Sequence, residues 1–568
     1  MEPSLPTLIR KHALYNAYRH GGKADIGAVA GKLAAEVPEL RDRMKNVVQQ
    51  VRSVVDAVNQ MSPTEQLNEL RRDHLQLLEV SAEPREEKEL PPLPNAERGN
   101  VVLRLPPEPS GYMHVGHGAA GLINHLYAQI YAGTLWLRFE DTNPRNAKRE
   151  YYESFREGYR WLGIHWDQER NVSDDLETIY DYSRKLIEGG HLYACRCRPE
   201  IVKKNRQNGI ACECRAGTRS ESLELWEAML TGAVEEGFAS VRFKGDMSSP
   251  DPSFRDPSLL RIVEYPHPLQ DSKYRVWPNY DLAVVIEDNL CRVSHILRSM
   301  EFHVALQEAL RKLLGFPAVT TIQFARINFE GTPLSKRILR PLVQENRVRG
   351  WDDPRMPTVA GVRRRGILPG AIRRFTEEVG YTKAEHTFGW DRLHSINRKL
   401  LDATARRYFF VPEPVRVEIQ KAPSMKVTVR FHPDQELGER KVDTRGVFYL
   451  PRNDIARVKE GDLFRLMDLY NVRVESKAGN TPFLSYQGTE LAREMPKVQW
   501  VTEENIPFRV LIPGPLFIEE TFNEKSLTEV TGLAEREAEG LKPGDRVQFP
   551  RFGFCRIDSP QVAIFTHK

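Results

Sequence analysis

The feature that most constrains this chain is a glycine-containing turn with two histidines, which follows a short apolar run. Residues 101–105 have the length of a strand, residues 106–111 are rich in proline, and His114-Val115-Gly116-His117 leads into residues with helical spacing. A helix that begins after such a turn presents free N–H groups and the positive end of its dipole. The turn therefore predicts a phosphate-binding site.

A second strand and helix follow in the same order. Residues 134–139 predict a strand that ends at Glu140-Asp141, and residues 147–162 predict a helix. Alternating strands and helices imply a doubly wound parallel sheet, whose ligands bind outside the carboxyl ends of the strands. The histidines and the acidic pair both fall there. Taken alone, the motif is equally compatible with surface histidines on an amphipathic helix.

A second short motif, Pro333-Leu334-Ser335-Lys336-Arg337, lies about 220 residues beyond the histidines. A lysine on a distant loop can contact the same phosphates from the opposite side. Either motif occurs by chance, whereas both in this order indicate a site for ATP.

Length and composition indicate a protein of several domains. The chain has 568 residues, and because single cores stop growing near roughly 250–300 residues we expect roughly three to five domains. A chain with 40% hydrophobic and 28% charged residues is typical of soluble globular proteins. We find neither an apolar run of membrane-spanning length nor an apolar segment near the start, so we predict a cytoplasmic protein without membrane contact.

Composition and periodicity divide the chain further. Residues 1 to about 80 predict helices, and residues 82–100, rich in proline and glutamate, predict a linker. Residues 195–278 differ in character from the α/β sequence on either side. Beyond them, residues 281–286 predict a strand that resumes the sheet, and residues 298–314 predict a helix.

Four of the six cysteines form two closely spaced pairs, Cys195-x-Cys197 and Cys212-x-Cys214, which are 14 residues apart. Thiolates in two such pairs can complete a tetrahedral site, which favours Zn²⁺. The pattern also fits four thiols without a metal. Cys291 and Cys555 are predicted to be core residues.

Positive charge is concentrated between residues 331 and 407, where 17 Lys and Arg face 8 Asp and Glu, although the whole chain has a net charge of only +4. A basic, mostly helical segment in an otherwise mildly acidic protein suggests a polyanionic partner, and a solvated helix face is the alternative. The candidate contacts are Arg363, Arg364, Arg365, Arg398 and Lys399.

From about residue 408 the sequence predicts short β-strands and an internal repeat. Gly461-Asp462 and Gly544-Asp545 each precede an alternating segment, 83 residues apart. Glycine–aspartate turns suit hairpins or strand entries, so the repeat predicts two related β-barrels unless two common turns coincide.

These residues resemble a class I aminoacyl-tRNA synthetase, specifically the glutamyl-tRNA synthetases of the archaeal/eukaryotic type. The resemblance spans residues 104–568 and rests on residues 103–112, 137–144, 397–399, 407–411 and 557–567. The turn at His114 matches the family's H-I-G-H box with valine for isoleucine. The segment at Lys336 matches its K-M-S-K-S box in part, because Pro333 replaces the first lysine.

The resemblance implies an ATP- and Mg²⁺-dependent enzyme that forms glutamyl-adenylate from L-glutamate and transfers the acyl group to tRNA(Glu), with tRNA(Gln) as a second candidate acceptor. It implies catalytic roles for His114, His117 and Lys336. The implied ATP-binding residues are Pro107, His114, Gly116, His117, Leu334, Ser335 and Lys336, and the implied amino-acid-binding residues are Arg104, Glu140, Tyr280 and Arg298.

The resemblance leaves the choice between glutamate and glutamine to a few positions. A glutamate side chain needs a cation, and Arg104 and Arg298 are the candidates because arginine presents a fork to a carboxylate. Ser110 also fits the glutamyl type. By contrast, residues 299–302 depart from the glutamyl pattern, and Ala119 replaces a usual lysine. Glutamate is favoured, a glutaminyl enzyme is the first alternative, and a nucleotidyltransferase outside the synthetases is a remote one.

The implied fold is a multidomain α/β and all-β protein with a doubly wound, Rossmann-like catalytic sheet. We expect an N-terminal helical region with a linker (1–98), a catalytic fold in two halves (99–192 and 277–330) and an inserted acceptor-stem domain (193–276). A basic helical domain (331–407) and tandem anticodon-binding β-barrels (408–568) complete the chain. We expect a monomer, and a protein partner that binds the N-terminal region is a further hypothesis.

Overall fold

The computed structural model describes residues 4–19, 22–37, 44–74, 90–299, 303–379, 386–478, 481–490 and 495–568. The chain forms two compact units, Met1–Glu87 and Lys88–Lys568. Within the ranges described, we find no helix with the length and apolar character needed to cross a membrane.

The first unit is helical, as its periodicity predicts. Asp25 and Ser62 cap two of its helices, and Ser62 forms a capping box with Glu65. Ile9 and Val51 are fully buried in its core. The helices are Leu5–Arg19, Ile26–Glu36, Met44–Gln60 and Pro63–Asp73.

The predicted linker lies partly outside the described residues, and its described part is packed. Leu93 is buried in the core of the second unit, and its N–H donates to the Tyr131 hydroxyl at 2.8 Å. The Tyr127 hydroxyl donates to the Pro91 carbonyl at 2.8 Å. The described end of this segment therefore belongs to the second unit, Lys88–Lys568.

A parallel sheet forms the centre of the second unit. Val102–Leu105 pairs with Thr134–Phe139, which pairs with Gln168–Asn171, and His295–Arg298 pairs with Thr320–Gln323. The two groups lie side by side, because the Ser294 N–H donates to the Val102 carbonyl at 3.1 Å. The connecting helices are Val115–Ile130, Arg149–Trp161, Leu176–Glu188, Tyr280–Leu290 and Val304–Leu313.

Two predictions of secondary structure in this region are wrong. Residues 281–286 are a helix, Tyr280–Leu290, and the sheet resumes at His295–Arg298 instead. The helix is buried on all sides, so its apolar run lacks the polar face that identifies a helix in a sequence. Residue 298 ends a strand, and the following helix begins only at Val304.

The inserted region is an antiparallel sheet with two helices, Pro199–Asn208 and Arg219–Thr231. Trp226 and Trp277 are fully buried in its core, which continues into the helix Tyr280–Leu290. The strands pair in chain order: Leu192–Cys195, Ser240–Phe243, Ser258–Ile262 and Val276–Pro278.

The basic region is helical, as predicted, with a small parallel pair of strands, Ile327–Phe329 and His386–Phe388. Thr358 caps one helix, and Gly366 ends it in the left-handed conformation at φ 102°. The helices are Lys336–Gln344, Val359–Arg365, Pro369–Val379 and Trp390–Asp402.

The last part of the chain contains two larger β-sheets, and separate cores form around Phe448 and Phe508. In one sheet the strand order is Val447–Pro451, Pro414–Gln420, Thr481–Tyr486, Asn471–Ala478, Leu463–Leu466 and Lys497–Val498. In the other it is Arg406–Arg407, Arg546–Phe549, Gly553–Ser559, Val562–His567, Asn505–Pro513, Leu527–Glu535 and Phe410–Pro412. Two hairpins lie beside them, Met425–Arg430 with Glu439–Thr444 and Phe517–Ile518 with Thr521–Phe522.

The sequence repeat corresponds to the same turn in both sheets. Gly461 and Gly544 have positive φ values of 87° and 100°. Each following aspartate accepts a hydrogen bond from a lysine N–H three residues earlier, at 2.7 Å for Asp462 and 2.8 Å for Asp545. Both turns follow a short helix, Arg452–Arg457 or Arg536–Gly540. The two β domains therefore share a local construction.

Candidate active site

His114 and His117 lie where the helix Val115–Ile130 begins. His114 is the N-cap, its Nδ1 accepts the His117 N–H at 3.3 Å, and His117 Nδ1 accepts the His114 N–H at 3.3 Å. The two rings stack with centroids 3.6 Å apart. Because each Nδ1 is an acceptor, the proton of each neutral ring is on Nε2, which can donate to a phosphate oxygen.

Burial keeps both imidazoles neutral. Burial and the nearby Lys336 ammonium lower the pKa of His114 to about 3. Burial, His114 and Lys336 hold the pKa of His117 well below its usual value. The rings therefore bind as neutral donors, and Lys336 supplies the positive charge of this part of the site.

The two signature motifs meet in space. Lys336 is the first residue of the helix Lys336–Gln344, and its Nζ donates to the Ser110 hydroxyl and to Glu108 Oε2, the latter at 3.4 Å. A Cβ on Gly111 would lie 3.0 Å from Lys336 Cδ, so the lysine side chain packs closely against this glycine.

Backbone and side-chain contacts complete this part of the site. A Cβ on Gly116 would lie 3.1 Å from Leu334 Cδ1. The Pro107 carbonyl accepts the Glu140 N–H at 2.9 Å, which joins the proline-rich loop to the acidic turn. Ser335 is the N-cap of the lysine helix, without a side-chain capping bond.

A buried charge cluster lies at the carboxyl ends of the first two strands. Asp288 accepts from Arg104 Nε and Arg138 Nη1, both at 2.9 Å. Glu140 Oε1 accepts from Arg138 Nε at 2.9 Å and from Nη2 at 2.8 Å. Burial alone would raise the pKa of Asp288, but Arg104, Arg138 and Arg311 hold it below its usual range.

Several polar atoms of this cluster are buried without a hydrogen-bond partner among the described residues. They are Arg104 Nη1 and Nη2, Glu140 Oε2, and Arg298 Nε and Nη2. Burying such atoms unpaired is costly, so the cluster is built to receive a ligand with complementary charges. Burial raises the pKa of Tyr280, and Arg104, Glu140 and Arg298 all lie close enough to influence it. The predicted amino-acid-binding residues therefore lie in one region of the structure.

Sequence reasoning missed Arg138 and Asp288, which hold Arg104 and Glu140 in place. The available signal was a pair of acidic residues, Glu287-Asp288, at the end of an otherwise apolar run. An ionised carboxylate is seldom fully buried unless it is paired. That signal indicates a buried ion pair without identifying its partners.

The predicted tRNA-binding arginines do not form one exposed patch. Arg364 makes a bidentate ion pair with Asp558, with both distances 2.8 Å, and a further contact with Asp352 at 3.0 Å. Arg365 lies over the Trp390 ring, and burial lowers its pKa to about 10. Arg363 is exposed, as are Arg398 and Lys399 on a neighbouring helix.

The four paired cysteines converge. Cys195 Sγ lies 3.8 Å from Cys212 Sγ, Cys197 Sγ lies 4.0 Å from Cys214 Sγ, and all four sulfurs lie within 4.8 Å of one another. Four thiolates at about 2.3 Å from a zinc ion stand about 3.8 Å apart, so the spacing fits a tetrahedral zinc site. The buried Arg242 guanidinium donates to Cys212 Sγ at 3.3 Å, which would offset thiolate charge.

A histidine pair at the start of one helix and a lysine at the start of another, brought together beside a parallel sheet, correspond to the two signature boxes of class I aminoacyl-tRNA synthetases, the second box in part. Family comparisons agree with the class. Residues 100–403 match the description "tRNA synthetases class I (E and Q), catalytic domain". Residues 405–487 and 497–558 match two anti-codon binding domains of the same group. The chain belongs to the class I tRNA synthetases of the E and Q group.

Similar proteins align with this chain over nearly the whole length of both. A glutamate–tRNA ligase of Nitrosopumilus maritimus is 39% identical over 571 residues, which cover 100% of both chains. A glutamate–tRNA ligase of Thermococcus kodakarensis is 41% identical over 581 residues, and one of Korarchaeum cryptofilum is 40% identical over 578 residues, with 99% of each chain covered in both cases.

Proposed function

We propose that this chain is a glutamate–tRNA ligase, which activates L-glutamate with Mg-ATP and transfers it to the 3′ end of tRNA(Glu). The observation that carries the proposal is a set of buried atoms on Arg104, Arg298 and Glu140 that have no hydrogen-bond partner among the described residues. The guanidinium groups of Arg104 and Arg298 complement the two carboxylates of a bound glutamate, and the carboxylate of Glu140 complements its ammonium group. The similar ligases named above support the same substrate.

In the first step, a glutamate α-carboxylate oxygen attacks the α-phosphorus of ATP, and the bond to the β-phosphate breaks to release pyrophosphate. Glu140 binds the ammonium group of glutamate. His114 and His117 donate Nε2–H bonds to the phosphates, and Lys336 stabilises the charge that develops on the leaving pyrophosphate. None of these side chains forms a covalent bond with the substrates, so their effect on the rate comes mostly from positioning the reacting groups.

In the second step, a hydroxyl of the terminal ribose of tRNA attacks the acyl carbon, and AMP leaves. We assign residues 193–276 to the acceptor stem and residues 408–568 to the anticodon, each β domain of the latter closing as a barrel. Unpaired anticodon bases offer edges and faces that a duplex hides. Arg363, Arg398 and Lys399 are assigned to tRNA phosphates, because they are exposed and phosphate contacts need accessible charge.

Cys195, Cys197, Cys212 and Cys214 would hold a zinc ion with a structural role, since four sulfur ligands leave no position open for substrate. The site lies at the end of the strand Leu192–Cys195, within the inserted region, and packs with Tyr193 and Val202. There a zinc ion would join the segment of Cys212 and Cys214 to this strand.

The alternative of a glutaminyl enzyme is less well supported. A neutral amide would leave the Arg298 guanidinium without a counter-charge in a buried pocket. Charging assays with purified tRNA(Glu) and tRNA(Gln), each with glutamate and with glutamine, test the proposal. We expect glutamate to be attached to tRNA(Glu). The assays with tRNA(Gln) show whether the enzyme also accepts that tRNA. Attachment of glutamine alone would refute the assignment.

A further inference from the structure

Among the described residues, one neighbouring side chain orients Arg298. Arg298 ends the strand His295–Arg298, and its carbonyl accepts the Phe324 N–H at 3.0 Å. Its Nη1 donates to Gln307 Oε1 at 3.2 Å, whereas Nε and Nη2 are buried without a partner among the described residues. A guanidinium has five N–H donors, and within the described residues one hydrogen bond determines its direction.

Gln307 is held in turn by a carboxylate. Gln307 Nε2 donates to Asp281 Oδ1 at 2.9 Å, and Asp281 Oδ2 lies 2.8 Å from His303 Nδ1. Gln307 and Asp281 are 5% and 8% exposed, so solvent competes little for these bonds. Because guanidinium can only donate and carboxylate can only accept, the amide has one possible orientation, with oxygen toward Arg298.

This arrangement differs from that of Arg104 in the same cluster. Arg104 already pairs with Asp288 at 2.9 Å, so part of its charge is neutralised within the protein. Arg298 receives a neutral acceptor instead, and the described residues place no carboxylate within ion-pair distance of it. A glutamine at residue 307 therefore orients the guanidinium without neutralising it.

We infer that Gln307, fixed by Asp281, is a positioning residue that directs Arg298 toward the side-chain carboxylate of glutamate and thereby sets the discrimination against glutamine. The inference rests on the proposed function, and it assigns specificity to a residue that does not touch the substrate. A glutamate at position 307 would pair with Arg298 and compete with the substrate for it.

The test compares Gln307→Glu, Gln307→Met and the double variant Asp281→Asn with Gln307→Glu, in ATP–pyrophosphate exchange with saturating tRNA. The double variant keeps the chain of hydrogen bonds and the total charge but moves the carboxylate beside Arg298. Gln270→Glu is a matched control, because the half-buried Gln270 also donates its Nε2–H to an aspartate, the exposed Asp174, at 2.7 Å.

We expect both variants with glutamate at position 307 to raise KM for glutamate by roughly 10–100-fold, with a smaller change in kcat and little change in KM for ATP or glutamine. Gln307→Met should raise KM for glutamate by roughly tenfold, because Arg298 loses its only oriented bond in the described residues. The glutamate-to-glutamine ratio of kcat/KM should fall in all three variants and not in Gln270→Glu.

Two outcomes overturn the inference. A double variant that recovers wild-type kinetics would show that Gln307 only maintains local structure. Unchanged glutamate-to-glutamine ratios in folded Gln307→Glu and Gln307→Met would show that Arg298 needs no positioning. Failure of the proposed function looks different, since the wild-type enzyme itself would then prefer glutamine. If Gln307→Glu does not fold, the isosteric Gln307→Met decides the question by the same ratio.

Discussion

At the scale of single residues, different side chains of the site provide the hydrogen bonds and the positive charge. The two histidines are neutral and donate, while Lys336 carries the charge. Lys336 lies against Gly111, and its Nζ is held by Ser110 and Glu108, so it is oriented before ATP binds. Preorganised groups of this kind stabilise a transition state without the cost of reorienting during the reaction.

Lys336→Ala should therefore lower the rate of adenylation by roughly 10²–10³, the usual cost of removing one preorganised donor. ATP affinity should change much less, because ground-state binding is shared among many contacts. Single-turnover adenylation in the presence of tRNA measures the rate, and Lys312→Ala, which changes an exposed lysine, is the control. An unaltered rate would remove Lys336 from the mechanism.

The neutral histidines also predict how stability depends on pH. The pKa of His114 is about 3 in the folded protein and lies near 6.5 when the chain unfolds, so between these values the unfolded state binds more protons. Stability of the catalytic unit should fall as pH decreases below about 6.5. Thermal unfolding from pH 7 to pH 5 measures this slope, and His114→Asn should make it shallower. An equal slope in the variant would contradict the low pKa.

At the scale of elements, the strands and helices with strong hydrophobic periodicity could be predicted from the sequence. The prediction was wrong where an element is buried on all sides and therefore shows no such periodicity. The strand Thr134–Phe139 and the helix Arg149–Trp161 were predicted, because each has a pattern of its own. The helix Tyr280–Leu290 was predicted as a strand, since an apolar run buried on all sides has no polar face. The buried ion pair of Arg104 with Asp288 joins residues 184 positions apart, so no local sequence pattern predicts it.

The zinc prediction concerns the inserted region, which contains the four clustered cysteines. Protein purified without added metal should contain zinc in near-stoichiometric amount, and replacing Cys197 and Cys212 together with alanine should remove it. Because a structural metal contributes to folding, the loss should loosen the inserted domain and impair transfer to tRNA more than adenylation. Replacing Cys291 and Cys555, which lie outside the cluster, should leave the metal bound. Full transfer activity without metal would end the proposal.

At the scale of the whole molecule, contacts between distant parts of the chain determine which basic residues are accessible. The sequence grouped Arg363, Arg364 and Arg365 as one tRNA-binding run. The fold uses Arg364 for an ion pair with Asp558, 194 residues away, and leaves Arg363 exposed. The Thr566 hydroxyl donates to the Arg365 carbonyl at 2.7 Å beside the same pair. A residue's charge is visible in the sequence, but its partner depends on the fold.

Replacing Arg363, Arg398 and Lys399 together with alanine should weaken the binding of different tRNAs to a similar extent and reduce the salt dependence of binding. Phosphate contacts carry no sequence information, and each one lost lowers the slope by about 0.7–0.9. Binding titrations over a range of salt concentrations measure both effects. Arg364→Ala, which breaks the Asp558 pair, should leave the slope unchanged. Altered discrimination among tRNAs with an intact slope would assign these residues to base recognition instead.

The central claim is that a buried arginine pocket selects glutamate. The most direct measurement is the ratio of kcat/KM for glutamate to that for glutamine, in ATP–pyrophosphate exchange with tRNA present, for the wild-type enzyme and for Arg298→Cys. We predict a ratio of as much as roughly 10⁴ for the wild type, because glutamine would leave the guanidinium unpaired. In Arg298→Cys this ratio should decrease sharply, because kcat/KM for glutamate falls while kcat/KM for glutamine stays nearly the same. A wild-type enzyme that activates glutamine as well as or better than glutamate would contradict the account.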